Sequence, residues 1–128
     1  MRVLALDYGS TRCGCALSDP TGTIVTPIEP VLRPSSRAGM AALSTLAVER
    51  EAELVLIGLP LSLNGQDSEQ TRETRAFAER LGKRVSAPVE LYDERFTTRI
   101  AARSAGAGSS EDSRAAAVLL EDWLSRRA

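Results

Sequence analysis

Three acidic side chains occupy positions at the ends of apolar strands or at the start of a helix, where carboxylates could do chemistry. Asp7 ends the apolar run VLAL, Glu94 ends the strand-like segment VELYDE, and Asp112 begins an alanine-rich stretch with helical spacing. The sequence contains no histidine, so it lacks the usual general base near neutral pH and the commonest transition-metal ligand. What remains is carboxylate chemistry, alone or with a hard metal such as Mg²⁺. Such a site is suited to phosphoryl chemistry.

Each of these acids also has a purely structural interpretation. Asp7 is placed where an Asx turn would begin. Asp93 and Glu94 stand directly before Arg95, which suggests an ion pair or a cap for the following helix. Asp112 falls in a first helical turn, where the helix dipole favours an acid. The sequence alone leaves both interpretations open at each position.

Composition indicates one cytoplasmic domain covering residues 1–128. With 43% hydrophobic and 26% charged residues, the chain has the composition of an ordinary globular protein. Cys13 and Cys15 are two residues apart and would share one face of a strand, which excludes a secreted disulfide scaffold. No apolar run approaches the ~18 residues needed to cross a bilayer, so no membrane partner is expected.

The charge balance excludes a protein that coats nucleic acid through bulk electrostatics. Sixteen basic and 17 acidic residues give a formal net charge of −1. Lys83 is the only lysine, and this arginine bias suits phosphate binding but is equally what a GC-rich genome produces. A polyanionic substrate would therefore need locally concentrated charge. Arg12, Arg95 and Arg99 are the candidates near the acids.

The hydrophobic pattern predicts the element order β-β-β-α-β-α-β-α-α. The runs VLALDY and CGCALSD form a hairpin, and Pro27 and Pro30 place the third strand at a sheet edge. The continuously apolar run 54–59, LVLIGL, is typical of a central parallel strand. Helices are predicted from Ser35 or Ser36 to about Glu51, and over about 68–84, 98–105 and 111–126.

These elements predict an α/β fold, a five-stranded mixed sheet with helices on both faces. The carboxyl ends of parallel strands share one edge, which would bring Asp7 and Glu94 together and the helix start at Asp112 towards them. Leu119 and Trp123 share a helix face with Asp112 and are expected in the core or at a homodimer contact. Cys13 and Cys15 are expected to be packed small apolar residues.

Four segments together resemble the YqgF/RuvX family, whose members are described as Holliday junction resolvases or pre-16S rRNA nucleases. They occur in order across nearly the whole chain: LDYGSTRCGCALSD at 6–19, GLPLSLNGQDSEQT at 58–71, YDERFTT at 92–98 and DSRAAAVLLEDWL at 112–124. The resemblance implies an RNase H-like fold and a metal-dependent nuclease. In many relatives the stretch before the last acid is rich in lysine, whereas here it is GAGSSE.

The resemblance also implies roles for individual residues. The catalytic, metal-binding acids would be Asp7, Glu94 and Asp112, with Asp93 as the competitor for the middle position. They would hold two Mg²⁺ or Mn²⁺ ions separated by ~3.5–4 Å. The residues implied to lie near the nucleic-acid substrate are Asn64 with Gly65, Arg95, Thr97 and Thr98, in addition to Arg12 from the charge argument.

Several functions are compatible with these residues. The first is processing of pre-16S rRNA, and the second is resolution of branched DNA at a Holliday junction. A third is a non-catalytic factor that binds rRNA during ribosome assembly. A fourth, phosphotransfer of the hexokinase and actin type, requires a clamp of two domains, and 128 residues provide only one.

Overall fold

A mixed five-stranded sheet lies at the centre of the computed structural model, which describes residues 1–96 and 111–127 except the side chains of residues 96, 111 and 112. The strands are β1 (Val3–Tyr8), β2 (Arg12–Ser18), β3 (Val25–Leu32), β4 (Leu54–Leu59) and β5 (Val89–Asp93). The helices are α1 (Arg37–Glu49), α2 (Glu69–Gly82) and α3 (Glu111–Arg127), and a 3₁₀ turn spans Glu94–Phe96. The helix predicted over 98–105 lies outside the described residues.

The strand order is β3-β2-β1-β4-β5, with β1 antiparallel to β2 and parallel to β4. All six residues of β4 are buried, because strands flank it on both sides and helices cover both faces. The strand β3 lies at the edge, where Pro27 and Pro30 cost no ladder hydrogen bond on the open side. The predicted central β4 and edge β3 are both confirmed.

Alternation along the strands divides the core into two layers. Leu4 and Leu6 of β1 pack on one face with α1 and α2, whereas Val3 and Ala5 pack on the other face with α3. Trp123 is only 5% exposed within the α3 layer, so it belongs to the core and not to a dimer contact. The prediction of helices on both faces is confirmed.

Local capping sets where the helices begin. Of the two candidate caps of α1, Ser36 accepts a hydrogen bond from the backbone N–H of Gly39. Ser68 begins α2 with a reciprocal capping box. None of the helices in the described parts of the chain is long and apolar enough to cross a membrane.

On the charged face of α2, Arg75 with Glu79 and Glu79 with Lys83 stand at the spacing of helical ion pairs. Glu79 and Lys83 form the expected pair, with 3.8 Å between the charged atoms. Arg75 does not pair with Glu79. It donates two hydrogen bonds to the Asp67 carboxylate in the preceding loop, at 2.8 and 3.1 Å, because a bidentate geometry is available there.

Candidate active site

Asp7 lies between two glycines on the α3 face of the sheet. Its partner on β2 is Gly14. On the other side, the register pairs Leu6 with Ile57, so the next position of β4 is Gly58. Neither neighbour has a side chain on this face, which leaves space around the half-buried carboxylate of Asp7. An acid and a ligand can share this space.

Glu94 reaches the same space from the end of β5. A Cβ atom added to Gly58 would lie 2.9 Å from both Cγ and Cδ of Glu94 and 3.1 Å from Cδ2 of Leu119. The Glu94 carboxyl therefore lies directly over Gly58, on the α3 face that also carries Asp7. Sequence reasoning missed Gly58, although a glycine inside a buried strand is a signal of close approach.

Asp93 points to the opposite face of the sheet. Its predecessor Tyr92 packs in the α3 layer, and strand alternation places Asp93 on the other side. There Arg95 donates from Nε and Nη2 to the Asp93 carboxylate, the shortest contact being 2.7 Å. This hydrogen bonding holds the pKa of Asp93 below its ordinary value. Asp93 is therefore an ion-pair partner of Arg95, and Glu94 is the acid on the Asp7 face.

Asp112 is the second residue of α3, at the helix start. The next residue, Ser113, is fully buried and fixes that start on the sheet. Its Oγ donates to the carbonyl of Ile28 in β3 and accepts from the backbone N–H of Cys15 at 3.2 Å. Cys15 follows Gly14, the strand partner of Asp7. The backbone of α3 thus begins close to Asp7. The side chain of Asp112 is not among those that the structure describes, so its contact with the other acids stays a prediction.

The loop between β4 and α2 holds two candidate substrate residues in one hydrogen-bonded unit. Asn64 is exposed, and its Oδ1 accepts from Ser62 Oγ at 2.6 Å and from the backbone N–H of Gln66 at 3.0 Å. Arg95 donates from Nη1 to the carbonyl of Leu63 at 3.2 Å. Arg95 therefore links the turn bearing Glu94 to this loop.

The remaining substrate candidates are distributed as follows. Arg12 is exposed at the start of β2, beside the turn that follows Asp7 in the hairpin. Thr97, Thr98 and Arg99 lie outside the described residues, so their proximity to the acids stays a prediction.

The carboxylates on the α3 face fit a hard divalent cation. Asp7 and Glu94 supply oxygen ligands of the type that Mg²⁺ and Mn²⁺ prefer, and the missing side chain of Gly58 lets the Glu94 carboxyl lie on the face that carries Asp7. Within the described side chains, which do not include that of Asp112, no cluster of three or more metal-ligating groups is found. A third ligand would have to come from outside that set, as the prediction for Asp112 requires.

The two cysteines do not belong to this chemistry. Cys13 and Cys15 are free and buried on the opposite face, as predicted for packed apolar residues. A hydrogen bond with Cys15, together with burial and the nearby charge of Asp7, raises the pKa of the Cys13 thiol. A neutral, buried thiol is neither a nucleophile nor a metal ligand.

Nearly the whole chain matches known proteins. Residues 1–126 match the family described as "RuvX: Holliday junction resolvase". A protein of Koribacter versatilis named "Putative pre-16S rRNA nuclease" is 37% identical over 134 residues, covering 98% of this chain and 88% of the relative. A protein of the same name from Mycobacterium tuberculosis strain H37Rv is 41% identical over 135 residues, covering 98% of this chain and 79% of the relative.

The fold has a close match among solved structures. RuvC of Thermus thermophilus superposes with a TM-score of 0.62 at 14% sequence identity, covering 99% of this chain and 96% of that one. At this identity the likeness shows the fold alone, and it confirms the RNase H-like architecture implied by the sequence. On the family match and the two relatives together, the chain belongs to the RuvX family, described as Holliday junction resolvases.

Proposed function

We propose that this protein is a metal-dependent nuclease that hydrolyses phosphodiester bonds of pre-16S rRNA in the cytoplasm. The single observation that carries the proposal is the placement of the Asp7 and Glu94 carboxyls on one face, around Gly58. The names of the relatives from Koribacter and Mycobacterium support the rRNA substrate. The family description favours a second candidate, cleavage of a four-way DNA junction.

In this proposal the metal is held by Asp7, Glu94 and Asp112. Bound Mg²⁺ or Mn²⁺, in our proposal as two ions, supplies water activation and Lewis-acid stabilisation of the negative charge that develops on the scissile phosphate. The carboxylates concentrate negative charge that favours cation binding. Gly14 adds no side chain beside Asp7, and the missing Cβ of Gly58 leaves room for the Glu94 carboxyl on the same face.

Proton transfer in this site must proceed without histidine, because the chain has none. Carboxylates and solvent are the remaining acceptors near the site. No side chain acts as a nucleophile in the proposal, since water attacks the phosphorus. The ester bond to the leaving oxygen breaks, and that oxygen gains a proton from solvent. The products are a phosphate monoester and a free hydroxyl group.

Charge changes on metal binding also favour a polyanionic substrate. Two divalent cations would change the formal net charge of the chain from −1 to +3. The added charge lies at the acids themselves, where the phosphate must approach. Ions therefore convert a repulsive surface into an attractive one.

The test is a cleavage assay on three substrates: unstructured single-stranded RNA, a pre-16S rRNA fragment and a four-way DNA junction. Each is incubated with the protein in Mg²⁺, in Mn²⁺ and in EDTA. We expect cleavage of the pre-rRNA fragment with either metal and none with EDTA. Cleavage confined to the junction would support the second candidate. Activity that survives EDTA would contradict the metal-dependent mechanism, and binding without cleavage would indicate an assembly factor.

A further inference from the structure

Basic side chains gather beside the end of the β1–β2 hairpin, in two segments of the chain that contain no acid. Residues 8–18 contain Arg12 and no Asp or Glu, and residues 30–48 contain Arg33 and Arg37 and no Asp or Glu. The structure joins these two segments side by side, since Arg12 pairs with Leu32 and the N–H of Arg33 donates to the Thr11 carbonyl at 2.8 Å. Two acid-free segments thus form one surface.

Arg80 extends to the same surface from α2. Its Nη2 donates to the backbone carbonyl of Ser35 at 3.0 Å. The Oγ of Ser35 lies 2.6 Å from the hydroxyl of Tyr8, which directly follows Asp7 in the chain. A short series of contacts therefore connects Arg80 to the strand end that carries Asp7.

We call Arg33, Arg37 and Arg80 the arginine patch. Strand direction places Arg33 and Arg37 at the same end of the sheet as the acids, because β1 and β3 are both antiparallel to β2 and so end together. The helices α1 and α2 cover the face opposite to the one that carries Asp7 and Glu94, so the patch lies around this end of the sheet from the acids. Arg33 follows the last residue of β3, and Arg37 begins α1.

The arginine patch has no carboxylate partners among the described residues, and the same holds for the scattered positions Arg50 and Arg84. In the part of the chain that the structure describes, ion pairs engage Arg2 with Glu51, Arg75 with Asp67, Lys83 with Glu79, Arg95 with Asp93 and Arg126 with Asp122. No residue of that part forms an ion pair with Arg33, Arg37 or Arg80. Arg33, Arg37 and Arg80 are all exposed to solvent.

A chain with a net charge of −1 has few such surfaces to offer a polyanion. Arginine presents a planar fork of donors that matches phosphate oxygens. Beside the patch, a groove of about 400 Å³ between β3 and α1 is lined by Leu32, Arg33, Ser36 and Ala42 among others. A positively charged groove with hydrogen-bond donors is the kind of surface that follows the phosphate backbone of a single strand. The arginine patch and the adjacent groove provide this charge and these donors.

We propose that the arginine patch is a second binding surface for the substrate RNA, contacting backbone phosphates on the β3 side of the acidic site. The inference rests on the proposed nuclease function and adds the direction in which the RNA leaves the acids. These contacts position the strand without reading its sequence, because phosphates are the same at every nucleotide.

The experiment measures binding without cleavage. A short fluorescein-labelled single-stranded RNA is titrated with protein in EDTA, and anisotropy is followed over a series of NaCl concentrations. The test variant combines Arg33→Asn with Arg37→Gln. Asparagine is chosen because Arg33 has a φ of 44°, which asparagine tolerates better than most residues.

The matched control combines Arg50→Gln with Arg84→Gln. It removes the same charge from exposed positions just after α1 and α2, outside the arginine patch. Each phosphate contact contributes about 0.7 to the slope of log K against log salt for a single strand, so the test variant should lose about 1.4 from the slope. The control should retain most of the slope. Thermal unfolding verifies that both variants are folded.

Four outcomes decide the inference. Loss of slope in the test variant alone supports it. An equal loss in both double variants, an unchanged slope in the test variant, or the absence of measurable RNA binding by the wild-type protein overturns it. The nuclease function is judged separately, by the cleavage assay in Mg²⁺ and in EDTA. The surface can therefore fail while metal-dependent cleavage stands, and the reverse is also distinguishable.

Discussion

Two adjacent acids at the end of β5 serve opposite faces of the sheet. Asp93 continues the alternation of the strand and pairs with Arg95, whereas the 3₁₀ turn that begins at Glu94 brings that carboxyl over Gly58. Exchanging either acid for its amide keeps the shape of the side chain and removes one charge. The two exchanges should therefore have different effects on cleavage and on metal binding.

We expect Glu94→Gln to lower cleavage by about 100-fold or more, since it removes a charge that stabilises the reacting centre. Asp93→Asn should lose about tenfold, through a looser link between Arg95 and the loop. Titration with Mn²⁺ checks the assignment independently, because only the Glu94 variant should lose metal affinity. A reversed order of the two variants in both measurements would make Asp93 the metal ligand.

Gly58 provides a second prediction at this scale. Gly58→Ala places a methyl group 2.9 Å from the Cγ and Cδ atoms of Glu94, so the flexible acid must move. We expect cleavage to fall strongly while the free energy of unfolding falls by about 1–3 kcal/mol. Gly82→Ala is the control, because its new Cβ would meet only Val89 Cγ2, at 3.8 Å. If both variants keep wild-type rates, the carboxyl of Glu94 is not needed over Gly58.

At the scale of elements, one buried hydroxyl fixes the start of α3 on the sheet. Ser113 satisfies the N–H of Cys15 and the carbonyl of Ile28, next to an irregularity in the β2–β3 register between Cys13 and Cys15. Both backbone groups would lose their partner if the hydroxyl were removed. The position of Asp112, one residue earlier, depends on this contact.

We therefore expect Ser113→Ala to destabilise the protein by about 1–3 kcal/mol and to reduce cleavage as well. Ser125→Ala is the matched control, because the Ser125 hydroxyl is exposed and bonds only to Asp122 within its own helix. Chemical denaturation gives the stability change, and cleavage is compared at a temperature where both variants are folded. Equal effects of the two substitutions would remove the special role of Ser113.

The elements were predictable because their signals are local. The prolines of β3, the apolar run of β4 and the Ser36 cap each act within a few residues of their own position. The partner of Arg75 could not be predicted, for the opposite reason. It bonds to a loop carboxylate whose position depends on the folded backbone of residues 60–67, and helical spacing carries no information about that loop.

At the scale of the whole molecule, the sequence predicted that Asp7 and Glu94 lie at the same end of the sheet. It did not predict which side chains surround them there. Strand-end acids can be read from the chain because parallel strands end at one edge. The glycines on either side of Asp7 come from β2 and β4, and only the pairing register brings them together. The face chosen by Glu94 depends on the 3₁₀ turn, and the partner of Arg95 on a loop.

The two edges of the sheet also differ in charge, which residue-by-residue reading did not reveal. Near the acidic site Arg33, Arg37 and Arg80 form no ion pair with a described residue and lie in or beside segments without acids, whereas Arg2 at the other edge is paired with Glu51. A nearly neutral protein can thus bind a polyanion at one edge while the rest of its surface has balanced charge.

The central claim is that carboxylates gathered around Gly58 hold the metal that makes this chain a nuclease. Its most direct test compares the rate at which wild-type protein and Asp7→Asn cleave a pre-16S rRNA fragment in Mg²⁺, with circular dichroism and thermal unfolding recorded for both. We expect the variant to lose cleavage while keeping its fold and an equal or higher Tm, because repulsion among crowded carboxylates is relieved. A folded Asp7→Asn protein that cleaves at the wild-type rate would contradict the claim.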